Sequence, residues 1–257
     1  MNPFSGSREA SGRAPADLLQ RALLIYAALF LVFAWTALAR PADEAFATIF
    51  FSALAGAGVG IALVYLFSQG RTDDTTLRTL IISGVLIDVA CNFSATRFEA
   101  LRVLWVAVIG VGNLGLLMAA IGLGLLVGRG LQKPNYLVMA AIVGALTDIF
   151  SVYAGPSKHL LGSVAFPYVA FHWGLIGQGG VFPMIGGGDF IFLALYFYGA
   201  RKFGLDDRKT LAAMMAAFAV GFLSTLFSPQ GIPALPFMSV ALLLVHGREL
   251  KAKMRES

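Results

Sequence analysis

The feature that most restricts this chain is a succession of apolar runs, each about as long as a bilayer is thick, joined by short connections. The runs fall at residues 18–39, 45–67, 77–95, 101–128, 136–153, 182–203, 210–227 and 233–246. A helix needs about 20 apolar residues to cross the hydrocarbon core. The runs therefore predict an all-α, polytopic transmembrane helix bundle of about eight spans, with nine possible. Hydrophobic residues make up 58% of the chain and charged residues 13%, which excludes a water-soluble fold. Residues 1–17 read as a disordered cytoplasmic leader, 18–134 as a four-span half, and 135–257 as a second half with two acidic residues and a proline pair inside its apolar runs.

The basic residues set the expected orientation, since Lys and Arg stay in the cytoplasm. With the N-terminus inside and eight spans, 15 of the 19 Lys and Arg fall on the cytoplasmic side; only Arg40, Arg97, Arg102 and Lys158 fall outside. A ninth span over residues 163–180 would reverse the balance to 7 inside and 12 outside. That segment, interrupted by Pro167, His172 and Gln178, is expected to lie at the interface or to re-enter among the helices. Both termini are then cytoplasmic, and in a prokaryote the host is the plasma membrane.

Three carboxylates stand inside apolar runs, where an Asp at a helix centre costs about 2.5–3.5 kcal/mol, and two of them lie in the second half of the chain. Asp148 lies five residues before the end of its run at Tyr153, about 7–8 Å along the helix. Asp189 follows Gly186-Gly187-Gly188, seven residues into the next run, about 10 Å along it. If the two runs are neighbouring antiparallel helices, the carboxyls reach similar depth. A close pair in a low dielectric shares one proton and offers an acid and a base together. The glycines allow close backbone approach and weaken the helix before Asp189. Pro233-Ala234-Leu235-Pro236 opens the last run; its prolines remove two N–H donors, leaving a backbone with which an unwound chain could pair edge to edge.

These three motifs, in this order, resemble the presenilin and signal peptide peptidase family of GxGD intramembrane aspartyl proteases. Gly188-Asp189-Phe190-Ile191-Phe192 and Pro233-Ala234-Leu235-Pro236 are similar to presenilin in wording. The resemblance covers residues 140–246; earlier runs match only as apolar helices, and Thr147 stands where the family has Tyr. The family has nine spans. The resemblance implies a presenilin-like bundle in which Asp148 and Asp189 are catalytic. It also implies that Gly186, Gly187 and Gly188, with Pro233, Ala234 and Leu235, receive the substrate. The expected activity is hydrolysis of peptide bonds in transmembrane or signal-peptide-like helices whose N-terminus is cytoplasmic, with no cofactor, metal or nucleic acid. The stretch 155–184 is the expected docking region.

The competing class is a proton- or cation-coupled transporter or channel that uses intramembrane acids, Asp88 among them. Asp88 with Asn92 one turn later also fits a structural pair bonding a neighbouring helix. No His or Cys recurs at ligand spacing, so no metal site is expected. His172-Trp173 reads as an interfacial anchor. The lone Cys91 reads as a buried filler, and Gly110-x-Gly112-x-x-Gly115 as a helix-packing face rather than a nucleotide loop.

Overall fold

A computed structural model describes residues 14–39, 46–69, 72–98, 100–155, 159–160, 163, 165–176, 178, 180–224 and 233–256. They form α1 (Ala14–Ala39), α2 (Phe46–Phe67), α3 (Asp74–Phe98), α4 (Arg102–Arg129) and α5 (Pro134–Tyr153). After a 3-10 turn (Phe166–Val169) come β1 (Ala170–Leu175), β2 (Gly180–Gly186), α6 (Gly187–Lys202), α7 (Asp207–Ser224) and α8 (Leu235–Glu256). Residues 1–13 of the expected leader, residues 225–227 of the seventh run, Ile232 and the connection at 156–158 lie outside the described residues.

The protein is mostly helical, and helices α1 to α5 are long and apolar enough to cross a membrane. Leu86 on α3 is 65% exposed, and Leu146 and Phe150 on α5 are 62% and 64% exposed. Such apolar faces belong against lipid, and the chain is a membrane protein. The last three helices depart from the expected runs. Helix α6 has 16 residues, about 24 Å at 1.5 Å per residue, short of the roughly 30 Å hydrocarbon core. Helix α7 carries Asp207, Arg208 and Lys209 in its first turn, and α8 continues past His246 through a basic stretch to Glu256.

Three expectations are corrected. The fold is not all-α, because residues 170–186 contain an antiparallel two-stranded sheet. The sixth run is not helical from Phe182; its first residues are β2, and the helix begins at Gly187, where three successive glycines weaken a helix N-terminal to Asp189. The leader is not irregular to residue 17, since α1 already includes Ala14.

Small residues decide which helices meet. A Cβ on Gly84 would lie 2.6 Å from both the Ala119 nitrogen and the Gly115 oxygen. The backbones of α3 and α4 are therefore in direct contact. Gly110 receives the Phe30 ring, and Gly112 faces Cys91, so the glycine series of α4 is a packing face. Along α6, Gly124 of α4 meets Ile191 and Ala194, and Gly128 meets Tyr198; the two helices run in the same direction.

One end of the bundle is tied by polar groups. Arg129 pairs with Asp74 and bonds the Thr72 carbonyl; Arg201 bonds Ser68 and lies 3.5 Å from Asp207; Lys202 Nζ donates to the Arg129 carbonyl at 2.9 Å. Helix α6 stops there in a Schellman turn, with Gly204 at φ 63° and the Leu205 N–H on the Ala200 carbonyl at 2.8 Å. This turn is the place where a left-handed residue is required. Asp206 then caps α7, accepting the Arg208 and Lys209 N–H groups at 2.8 and 3.1 Å. These bonds, that of Lys209 foremost, hold the Asp206 carboxyl below the usual carboxylate range.

Gly84→Ala forces backbone apart and is expected to lower stability by about 1–3 kcal/mol. Gly247→Ala, with nothing within 4 Å of its added Cβ, should cost nothing in the same thermal unfolding assay in detergent. Because the folded Asp206 carboxyl is depressed, its stabilisation is present above the unfolded carboxylate pKa of about 3.9 and is lost as pH falls through the lower folded value. Asp206→Asn should therefore flatten part of the acid-side decline in unfolding temperature seen for the wild type.

Candidate active site

The site is built where α5, α6 and the start of α8 converge. A Cβ on Gly199 of α6 would meet Leu137 of α5 at 2.8 Å, and one on Gly144 of α5 would meet the Phe192 ring of α6 at 2.6 Å. Seven residues forward on α5 thus match seven residues back on α6, so the helices are antiparallel and in fixed register. One more turn in the same direction brings α5 to Asp148 and α6 to Asp189. Asp189 lies within electrostatic range of Asp148.

Each carboxyl is anchored by backbone. The Leu235 N–H donates to Asp148 Oδ2 at 3.0 Å, so the Pro-Ala-Leu segment touches the first aspartate across 87 positions of sequence. Leu235 is the first residue of α8, and the first N–H groups of a helix have no partner within it. Asp148 accepts one of them. Asp189 stands third in α6 after the cap residue Gly186, and its carboxyl turns back on the Gly186 backbone, as the third helical residue does in a capping box. Both acids are half-buried. Gly187 is buried, with the Leu116 side chain and the Val169 carbonyl where its Cβ would be, while Gly188 is open with nothing within 4 Å.

A groove of about 470 Å³ runs between α4, α5 and α6 and ends at Asp148 and Leu235. Gly144, Thr147, Ile191 and Phe192 line it. Pro233 and Leu235 are buried, and Ala234 is half-buried. Below the acids, Tyr196 and Ser239 share a buried hydrogen bond of 2.8 Å that ties α6 to α8.

The hairpin feeds directly into this site. Strand β1 pairs with β2 from Ala170 opposite Gly186 to Leu175 opposite Gly180, with an irregularity between Phe171 and His172. Met184 is the extra residue there, a bulge that re-aims the strand just before the glycines. Among the described residues, no other backbone hydrogen-bonds to the outer edge of β2. Pro183 within it lacks an N–H, which suits an edge strand.

His172 and Trp173 are not interfacial. They are 6% and 0% exposed, because β1 lies inside the bundle, with Trp173 over Gly56 and against Phe30 and Phe33. Asp88 is buried; Asn92 Nδ2 donates to its Oδ1 at 2.9 Å and to its carbonyl at 3.0 Å. Gly112 of α4 faces that pair, so the partners of Asp88 lie on α3 and α4, away from the Leu235 bond. Among the described residues, no group of three His, Cys, Asp or Glu could hold a metal ion.

Sequence reading missed Asn113, Tyr196 and Ser239. Tyr196 is two turns from Asp189 and Ser239 one turn from Leu235, so helical spacing from the two motifs was a usable signal. Asn113 had only its polarity within an apolar run. Comparison with protein-family models, with curated proteins and with solved structures finds no match. The family likeness therefore rests on the sequence motifs alone.

With Cys91, the single cysteine, changed to Ser, the double variant Asp148→Cys/Asp189→Cys is expected to be bridged by a short bifunctional thiol reagent. Adding Gly144→Leu, which pushes Phe192 away, should reduce bridging severalfold in protein that remains folded. Absence of bridging in the double variant would refute the register.

Proposed function

We propose that this protein is an intramembrane aspartyl protease that hydrolyses peptide bonds of transmembrane segments with Asp148 and Asp189 as its dyad. The observation that carries the reading is the bond from the Leu235 N–H to Asp148 Oδ2, at the level where the α5–α6 register sets Asp189. Three motifs scattered over 88 positions of sequence (148–235) thereby converge on one small volume, as a two-carboxylate hydrolase needs.

The chemistry follows from two carboxyl groups sharing one proton. The ionised carboxylate removes a proton from water as its oxygen attacks the peptide carbonyl, and the protonated carboxyl gives its proton to the carbonyl oxygen. A tetrahedral diol results. Proton transfer to the nitrogen then lets the C–N bond break, releasing an acid and an amine. The Leu235 N–H keeps Asp148 oriented with one oxygen occupied, leaving the other for water.

A helical substrate hides its amides in its own hydrogen bonds, so it must open before attack. The free outer edge of β2 offers an opened chain backbone partners and leads straight to Gly186, Gly187 and Gly188, of which Gly188 leaves space for a close approach. In this reading the bundle crosses the bilayer eight times, with the polar end at Arg129, Arg201 and Lys202 in the cytoplasm together with both termini. Substrates then have a cytoplasmic N-terminus and share the bilayer with the protein.

Purified protein reconstituted in vesicles is expected to cleave a single-span test peptide. Asp148→Asn and Asp189→Asn should each reduce the rate by at least about 10²–10⁴, the usual worth of general acid–base catalysis, while the unfolding temperature changes little. Cleavage that survives either change at wild-type rate would refute the dyad.

A further inference from the structure

A two-stranded sheet has two outer edges, and an edge buried among helices, as that of β1 is, needs hydrogen-bond partners other than water. The outer edge of β1 has found one in a side chain. The Asn113 Nδ2 donates to the His172 carbonyl at 2.7 Å, and the His172 N–H donates to Asn113 Oδ1 at 2.8 Å. These are the two bonds that a neighbouring antiparallel strand would make with one residue, supplied by a carboxamide, which has the donor and acceptor of a peptide unit. The second Nδ2 hydrogen goes to Tyr26 Oη at 3.2 Å, and that hydroxyl donates to the Gly110 carbonyl at 3.0 Å. Asn113 is 2% exposed and has both donors and its acceptor in use. Its orientation is fixed, since a flipped amide would set N–H against N–H and oxygen against oxygen at His172.

From this we infer that Asn113 is a positioning residue: its carboxamide stands in for a third strand, closes the β1 edge of the sheet and fixes the hairpin that delivers Gly186–Asp189. The consequence for binding is a choice of edge. With β1 sealed from α4, an extended substrate is left only β2, the strand continuous with the glycines and Asp189. The hairpin is also held in depth, because α4 carries Asn113 at one level and packs along α6 through Gly124 and Gly128 at another. One rigid helix thus sets both β1 and the body that bears Asp189. The inference rests on the proteolytic reading for the identity of the ligand, but the clamp itself does not.

The test uses the full chain in detergent or vesicles and two variants. Asn113→Leu has similar bulk and no hydrogen bond. Asn113→Asp keeps one acceptor and, when protonated, one O–H donor for the His172 carbonyl; when ionised it loses the donor and faces that carbonyl with charge. The titratable groups around this position are Tyr26 on α1, His172 on β1 and, beyond Gly112, Asp88 on α3. Amide hydrogen exchange of peptides covering 170–175 and 180–186 is the first readout. In Asn113→Leu their protection should fall about tenfold or more, as expected for unpaired buried groups, while peptides from α3 keep theirs. Cleavage of the test peptide should fall with it, mainly through KM, and spread to neighbouring bonds as the strand edge loses its register. In Asn113→Asp, hairpin protection and cleavage relative to wild type should be highest at acid pH and decline as pH rises and the side chain ionises; a merely space-filling residue would give no such profile. Unchanged hairpin exchange in folded Asn113→Leu, or equal impairment of Asn113→Asp at every pH, would overturn the proposal. If the wild type cleaves no peptide, exchange still decides the clamp, and only the proteolytic reading is lost.

Discussion

Backbone N–H and C=O groups buried away from water must be paired, and a bundle that admits a strand takes on that obligation along a whole edge. Helices meet it internally, which is why they dominate this chain. The hairpin at 170–186 cannot. Its inner edges satisfy each other, and one outer edge is answered at His172 by the amide of Asn113, itself locked by Tyr26. The remaining edge, along β2, is the place in the described structure where an extended chain could add without displacing another strand.

The same economy of backbone groups governs the acidic pair. A helix beginning inside protein has free N–H groups in its first turn, and here two such beginnings are turned to use. The start of α8 gives its Leu235 N–H to Asp148, and the start of α6 has Asp189 turned back on Gly186. A carboxylate near a helix N-terminus is also favoured by the helix dipole. Two acids that would each be costly in a bilayer are therefore held by groups that would otherwise lack partners. That α6 is short of a full span is part of this design, because the helix must begin at depth for its N-terminus to face the site.

Glycines make the geometry possible through contact rather than flexibility. Gly84 and Gly115 bring α3 onto α4, Gly124 and Gly128 bring α6 onto α4, and Gly144 admits the Phe192 ring to set the level of α5 against α6. Without a hydrophobic drive between helices in lipid, close packing of this kind carries much of the association. A shift by one residue in the Gly124, Gly128 or Gly144 contacts would move Asp148 or Asp189 by about 1.5 Å along its helix axis.

The amino-acid sequence by itself determined that the chain is a mostly helical membrane protein, where its first five helices run, and that Asp148, Asp189 and Pro233-Ala234-Leu235 are its unusual features. Apolar length and isolated charge are local properties, legible without any fold. Local pattern could not reveal that residues 170–186 form a hairpin, because a short apolar run with a Pro and several Gly has no period that separates strand from helix. Nor could it reveal that His172 and Trp173 are buried, or that Asn113 has a strand for a partner. Those outcomes were decided by tertiary structure, for a physical reason: they depend on which backbone edges are left unpaired once the helices have packed, and that is a property of the assembled bundle, not of any one segment.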